Sequence, residues 1–157
     1  MLFLYKDESQ RPVKYSIAPG GLAPLYSISA GKCFLAFMPE EETGAYLDRV
    51  MLSPITENTI TDRNVLEREL EPIRSSWLAY GREEYYDGVC GIAAPVLNIH
   101  GAIAGSIMVT MEAARFNPQH RAFVEPKLHD AASRLSRQLG FGGAYGGLTV
   151  RSKQQIH

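Results

Sequence analysis

Ile92-Ala93-Ala94-Pro95-Val96-Leu97 and Ile103-Ala104-Gly105-Ser106-Ile107-Met108-Val109-Thr110-Met111, separated by Asn98-Ile99-His100-Gly101-Ala102, are the residues from which the architecture of this chain follows. Both runs are apolar, and the Asn and Gly between them carry turn chemistry, so they predict an antiparallel pair of strands. Just upstream, the residues after Gly81 turn β-like around Tyr85 and Tyr86 and supply a further strand. Downstream, Asn117-Pro118 reads as a cap and first-turn proline that open a helix. Its expected inner face is Leu128, Ala131, Ala132, Leu135 and Leu139, with Pro126 inside the helix and Gly140 as its stop.

Before Gly81 the pattern is helical. Thr61-Asp62 starts a helix whose apolar residues Leu66, Leu70, Ile73 and Trp77 recur at helical spacing, with Pro72 expected to bend it or end it early. Pro39 followed by Glu40, Glu41 and Glu42 opens another, because proline and carboxylates both suit a helix start. Ser29 stands as an N-cap before Ala30-Gly31-Lys32-Cys33-Phe34-Leu35-Ala36-Phe37. Leu2 to Tyr5 and Val13 to Ile17, divided by a polar stretch, predict a hairpin. The order is two strands, three helices, three strands and a helix, which is an α+β fold layered on an antiparallel sheet.

Composition bounds what such a fold can do. The chain has 157 residues, 45% of them hydrophobic, and a formal net charge of −1. One domain of this length buries roughly 70% of its extended surface and needs no staples. A nucleic-acid grip calls for a basic excess, which the chain as a whole lacks. The balance is uneven, with twelve acids against five arginines between Pro39 and Asp87 and a basic stretch from Ala113 onward. Solvated helix faces and a polar contact between protomers both account for that. Two cysteines without metal-site spacing and no basic leader before the short apolar start predict a soluble cytoplasmic domain, with no membrane partner.

The search for chemistry yields a binding site rather than an enzyme. Gly31-Lys32 lacks the glycine and the hydroxyl residue of a phosphate loop, since Tyr26 and Cys33 occupy those places. What remains is a helix start made of small residues, whose free N–H groups accept a carboxylate. The four histidines are scattered, so no metal or other cofactor is expected. Glu83 and Glu84, as neighbours on a strand, point to opposite faces and form no acid/base pair. No nucleophile, base or metal set emerges, and no catalytic residue is assigned. Ala93, Ala94, Ala102, Ala104, Gly105 and Ser106 set small side chains among large ones, leaving space above the sheet for a ligand or for a packed helix.

Three segments, in order, resemble the effector-binding domain of the IclR family of bacterial transcription factors: Pro24 to Lys32 with Leu35-Ala36-Phe37, Glu83-Glu84-Tyr85 leading to Gly88-Val89, and Ile92 to Val96. Asn58 to Asp62, Arg115, Ser136 and Gly140 add to the match. The resemblance implies a GAF-like curved antiparallel sheet flanked by helices, with a pocket for a small-molecule effector, often a carboxylic acid. It implies an effector-binding domain over 1–140, working as a dimer or tetramer; the glycine-rich residues that follow, 141–157, are expected from their composition to form a flexible tail. It also implies that the chain begins at the family domain's second strand, so that DNA would be reached only through an N-terminal helix-turn-helix domain that this sequence does not contain. A free-standing GAF-like binding or interaction module is the alternative.

Carried over residue by residue, the family's pocket falls on Ser29 and Ala30 with Gly31 beside them, on Gly81, on Val89 and Gly91 with Cys90 between them, and on Met108 and Thr110. This chain has Gly81 where small-oxoacid sensors of the family place an aspartate and Gly91 where they place the pocket cysteine, with Cys90 displaced by one residue. Met108 and Thr110 replace two serines. The expected pocket is therefore less polar and fits an aromatic or otherwise hydrophobic carboxylate held by the Ala30–Lys32 amides and Thr110.

Overall fold

The computed structural model describes residues 1–7 and 19–146. Strands β1 (Ala79–Arg82), β2 (Val89–Leu97) and β3 (Ile103–Glu112) form an antiparallel sheet in that order. The β2–β3 pair is the expected one, running from Val89 opposite Glu112 to Leu97 opposite Ile103. Its turn is held by the Asn98 side chain, which accepts from the amides of His100 at 2.9 Å and Ala102 at 3.1 Å, while Gly101 takes a positive φ of 74°. β2 is central and buried from Cys90 to Leu97. Pro95 is tolerated there because β1 begins at Ala79, opposite Ala93, and does not extend alongside Pro95.

Alternation along β2 divides the core in two. Ala93, with Ala79 of β1, faces helix α1 (Ser29–Phe37) and the Leu66, Leu70 and Ile73 side of α3 (Arg63–Ser76). Cys90, Ile92, Ala94 and Val96 face α4 (Pro118–Gln138) through Leu128 and Ala132. Helix α2 (Glu40–Arg49) follows α1 with its three glutamates in the first turn, and Asp62 caps α3 by accepting from the Val65 amide at 3.0 Å. Pro72 does not end α3, which runs on to Ser76 and closes with Trp77 in the left-handed region.

Several expectations are corrected. Ser29 is the first helical residue and not the cap, a place taken by Ile28, whose carbonyl accepts the Lys32 amide at 2.9 Å. The strand before β2 lies at Ala79–Arg82, and Tyr85 and Tyr86 sit in the following turn, because Glu83 adopts a φ of 58° that ends the extended run. On α4 the buried row is Leu128, His129, Ala132, Ser133 and Ser136, whereas Leu135 and Leu139 are exposed. The Ser136 hydroxyl accounts for this by accepting the Leu97 amide at 3.0 Å and donating to the Ala132 carbonyl at 2.8 Å. Met1 to Phe3 pair with 20–23, as in Gly20 N–H to the Phe3 carbonyl at 2.8 Å, and Val13 to Ile17 lie outside the described residues.

Part of the glycine-rich segment, residues 141–146, lies within the described residues. Tyr145 packs edge-on against Trp77 at 4.6 Å and against His129 at 4.8 Å, and its hydroxyl donates to the Pro95 carbonyl. Its neighbour Gly146 lies so close to the His129 ring that a Cβ there would collide with Nε2. His129 is 5% exposed and its Nε2 has no hydrogen-bond partner, so burial lowers its pKa against the opposing pull of Asp130. The folded state therefore favours the neutral ring, and its advantage over the unfolded chain falls as pH drops below the ordinary histidine value of about 6.5. Urea unfolding at about pH 7.5 and about pH 5 is expected to show a larger loss of stability for the wild type than for H129Q. Equal losses would remove His129 as the cause.

Candidate functional site

The register places Gly81 opposite Gly91 and Gly91 opposite Thr110, a row of small residues across all three strands. The first turn of α1 rests on this row. A Cβ at Gly81 would stand 3.2 Å from the Ser29 amide nitrogen; one at Gly91 would stand 2.7 Å from Ser29 Oγ and 3.5 Å from Met108 Sδ. The two glycines thus set how near the helix start comes to the sheet. Ser29 is 1% exposed, and its hydroxyl has no hydrogen-bond partner. A buried hydroxyl left without a partner costs about 1–3 kcal/mol.

The helix start is also electrostatically incomplete. Lys32 N–H bonds Ile28, so the first-turn amides without an intrahelical acceptor are those of Ser29, Ala30 and Gly31. This corrects the expectation that the Lys32 amide is available to a ligand. The first turn of α1 holds no acidic residue, in contrast to that of α2. Its positive end accordingly has no carboxylate of its own.

Of the residues expected at the site, Ser29, Gly81, Gly91 and Met108 come together in direct contact. Thr110 and Val89 join them on the same face by alternation, Thr110 exposed and Val89 half-buried, so the open side lies toward these two. Ala30 is buried in the core, and its carbonyl accepts from Ser106 Oγ at 3.5 Å. Gly31 has a structural duty, since any Cβ would strike the Leu25 carbonyl. Cys90 does not join them: it points to the α4 face, one residue out of phase with Gly91. The small strand residues serve helix packing on both faces, with Ala93 under α1 and Ala94 under α4. A separate depression of about 600 Å³, lined by Pro54, Ile55, Thr56, Glu57 and Asp87, is bounded only by exposed or half-buried residues.

One feature beside the site was not foreseen. Lys32 is wholly buried, and its ammonium donates to Glu84 Oε1 at 2.8 Å and to Glu69 Oε1 at 3.3 Å. Glu83 and Glu84 do diverge as expected, though on a turn and not a strand: the Glu83 carboxylate takes the Gly88 amide at 2.7 Å while Glu84 turns inward. Burial raises the Glu84 pKa, and Lys32 opposes the rise. The signal in the sequence is a lysine standing alone in an otherwise apolar or small-residue helix, Ser29 to Phe37.

The family profile described as bacterial transcriptional regulator IclR C-terminal matches residues 1–137. The chain belongs to the IclR family. The HTH-type transcriptional regulator KipR of Bacillus subtilis is 29% identical over 140 residues, covering 89% of this chain and 56% of KipR. The crystal structure of the Thermotoga maritima IclR protein superposes with a TM-score of 0.83 at 33% identity, covering 86% of this chain and 55% of that one. A double mutant of the PobR inducer-binding domain from Acinetobacter, solved with 3-hydroxybenzoic acid, superposes with a TM-score of 0.73 at 29% identity, covering 82% of this chain and 74% of that one. The chain spans about half the length of curated relatives such as KipR, and these matches are to transcriptional regulators, not enzymes. Among the described residues no helix is long and apolar enough to cross a membrane.

The Ser29 hydroxyl makes a clean test of whether this IclR-family domain keeps a costly group in its first turn for packing alone. Replacing it by alanine removes an unsatisfied buried oxygen and is expected to leave stability unchanged or raise it by about 1 kcal/mol. Urea unfolding of S29A measures this, and a marked loss of stability would mean that the hydroxyl has a structural partner.

Proposed function

We propose that this chain is the effector-sensing part of an IclR-type transcriptional regulator, acting in the cytoplasm as a homo-oligomer, and that its site takes a small carboxylate with an apolar, aromatic body. The observation that carries the reading is the first turn of α1, where free amides and the unpartnered Ser29 hydroxyl face the sheet with no acidic residue to satisfy them. A ligand carboxylate supplies the missing acceptor, and the exposed Thr110 hydroxyl stands on the same face.

The body of the ligand is argued from what lines the rest of the face. Gly81 and Gly91 offer no polar side chain, and Met108 presents a flexible thioether half-buried against the α1 core. An aromatic ring suits that wall better than a second polar group does. The 3-hydroxybenzoic acid bound by the PobR domain is a ligand of this class. DNA contact would belong to a helix-turn-helix part, as the name of KipR states for that regulator, and occupancy here would act on it as a coupling between two sites.

Isothermal titration of a panel of glyoxylate, pyruvate, benzoate and hydroxybenzoates tests the reading. Aromatic acids are expected to bind and S29A to weaken them by about tenfold, the cost of one hydrogen bond to a charged group. M108S is expected to shift preference toward the small acids. Binding of glyoxylate or pyruvate without a response to aromatic acids would overturn the aromatic assignment.

A further inference from the structure

Glu84 and Lys32 form an ion pair from which almost all water is excluded, at 5% and 0% exposure. Such a pair gains little stability over apolar residues of the same shape, because both charges lose their hydration. Here the balance is poorer still, since Glu84 Oε2 is buried without any partner. The pair's position has more to recommend it than its energy. Lys32 lies one helical turn after Ser29, and Glu84 lies in the 83–88 link between β1 and β2, the strands that carry Gly81 and Gly91.

The ties around this link converge on the site. Glu84 Oε1, already bonded to Lys32, also accepts the Arg82 amide at 3.1 Å, the peptide that follows Gly81. From the opposite side Thr59 Oγ1 donates to the Glu84 carbonyl at 2.8 Å and Thr56 Oγ1 to the Glu83 carbonyl at 2.6 Å. Glu69 of α3 takes the second bond from Lys32 and has Arg82 nearby at 3.8 Å. One ammonium thereby fastens α1, α3 and the β1–β2 link to one another beside the row of glycines.

We propose that Lys32 and Glu84 are positioning residues: their buried pair holds the first turn of α1 at the spacing from Gly81 and Gly91 that a bound carboxylate requires. The pair touches no ligand itself. This rests on the carboxylate reading of the site, and the experiment separates the two.

The full chain is prepared as wild type, as E84Q and as K32M/E84L, the last removing both charges so that no ion is left buried alone. 3-Hydroxybenzoate is the titrant, and urea unfolding is measured in parallel. K32M/E84L is expected to regain wild-type stability while its affinity stays about tenfold weaker; a merely structural pair would regain both together, and that result overturns the proposal. Amide exchange without ligand gives the second arm: K32M/E84L should exchange faster at Ser29–Gly31 and Gly88–Gly91 and remain unchanged along α4. Unchanged exchange at those sites overturns the proposal even where binding is weakened. A wild type that binds neither 3-hydroxybenzoate nor any other acid of the panel overturns the carboxylate reading, and the exchange arm then decides the positioning role alone, in E84Q where the double variant fails to fold.

Discussion

The fold rests on how closely a helix can approach a sheet. The first turn of α1 lies on Gly81 and Gly91 with spacings that leave no room for a single added carbon at Gly91, and the preceding turn closes on Gly31 in the same way. Helix and sheet surfaces carrying side chains at both positions would stand further apart. Near approach buries Ser29, Cys33 and Lys32 together, and so determines both the core and the polar groups trapped beside it.

The same economy of side chains operates on the other face. Ala94 and Ala132 let α4 settle on β2, and Ser136 repairs the sheet by capping the Leu97 amide where β2 reaches its end. The position of Tyr145 follows from this, for β1 stops short of Pro95 and leaves a carbonyl that the Tyr145 hydroxyl can reach. The half-buried Tyr145 ring packs between Trp77 and the buried His129 ring at that end of the molecule.

Charge is arranged by contrast. α2 meets its positive end with three glutamates of its own, and Asp62 caps α3, but α1 has only small residues and an idle hydroxyl at its start. Under the proposed reading, a ligand carboxylate supplies what this buried, positive helix end lacks. The Lys32–Glu84 pair lies one turn further in, where the ammonium is bonded to Glu84 and Glu69, so on that reading it is not the group that takes the anion.

Local chemistry in the sequence by itself determined the elements with strong punctuation. The Asn98 turn, the Asp62 and Asn117 caps, the apolar spacing of α3 and the β2–β3 pair were legible because each depends on residues a few positions apart. Ser29, Gly81, Gly91 and Met108, which the resemblance named together, lie near one another in space. Tertiary structure alone decided that Leu135 and Leu139 stay outside while Ser133 and Ser136 go in, and that Lys32 is buried on Glu84. The burial of Lys32 and of Ser136 depends on partners 37 or more residues distant, as Glu69 and Glu84 are from Lys32 and Leu97 is from Ser136. Burial at such a position is set by what the chain brings against it, which no periodicity within the segment contains.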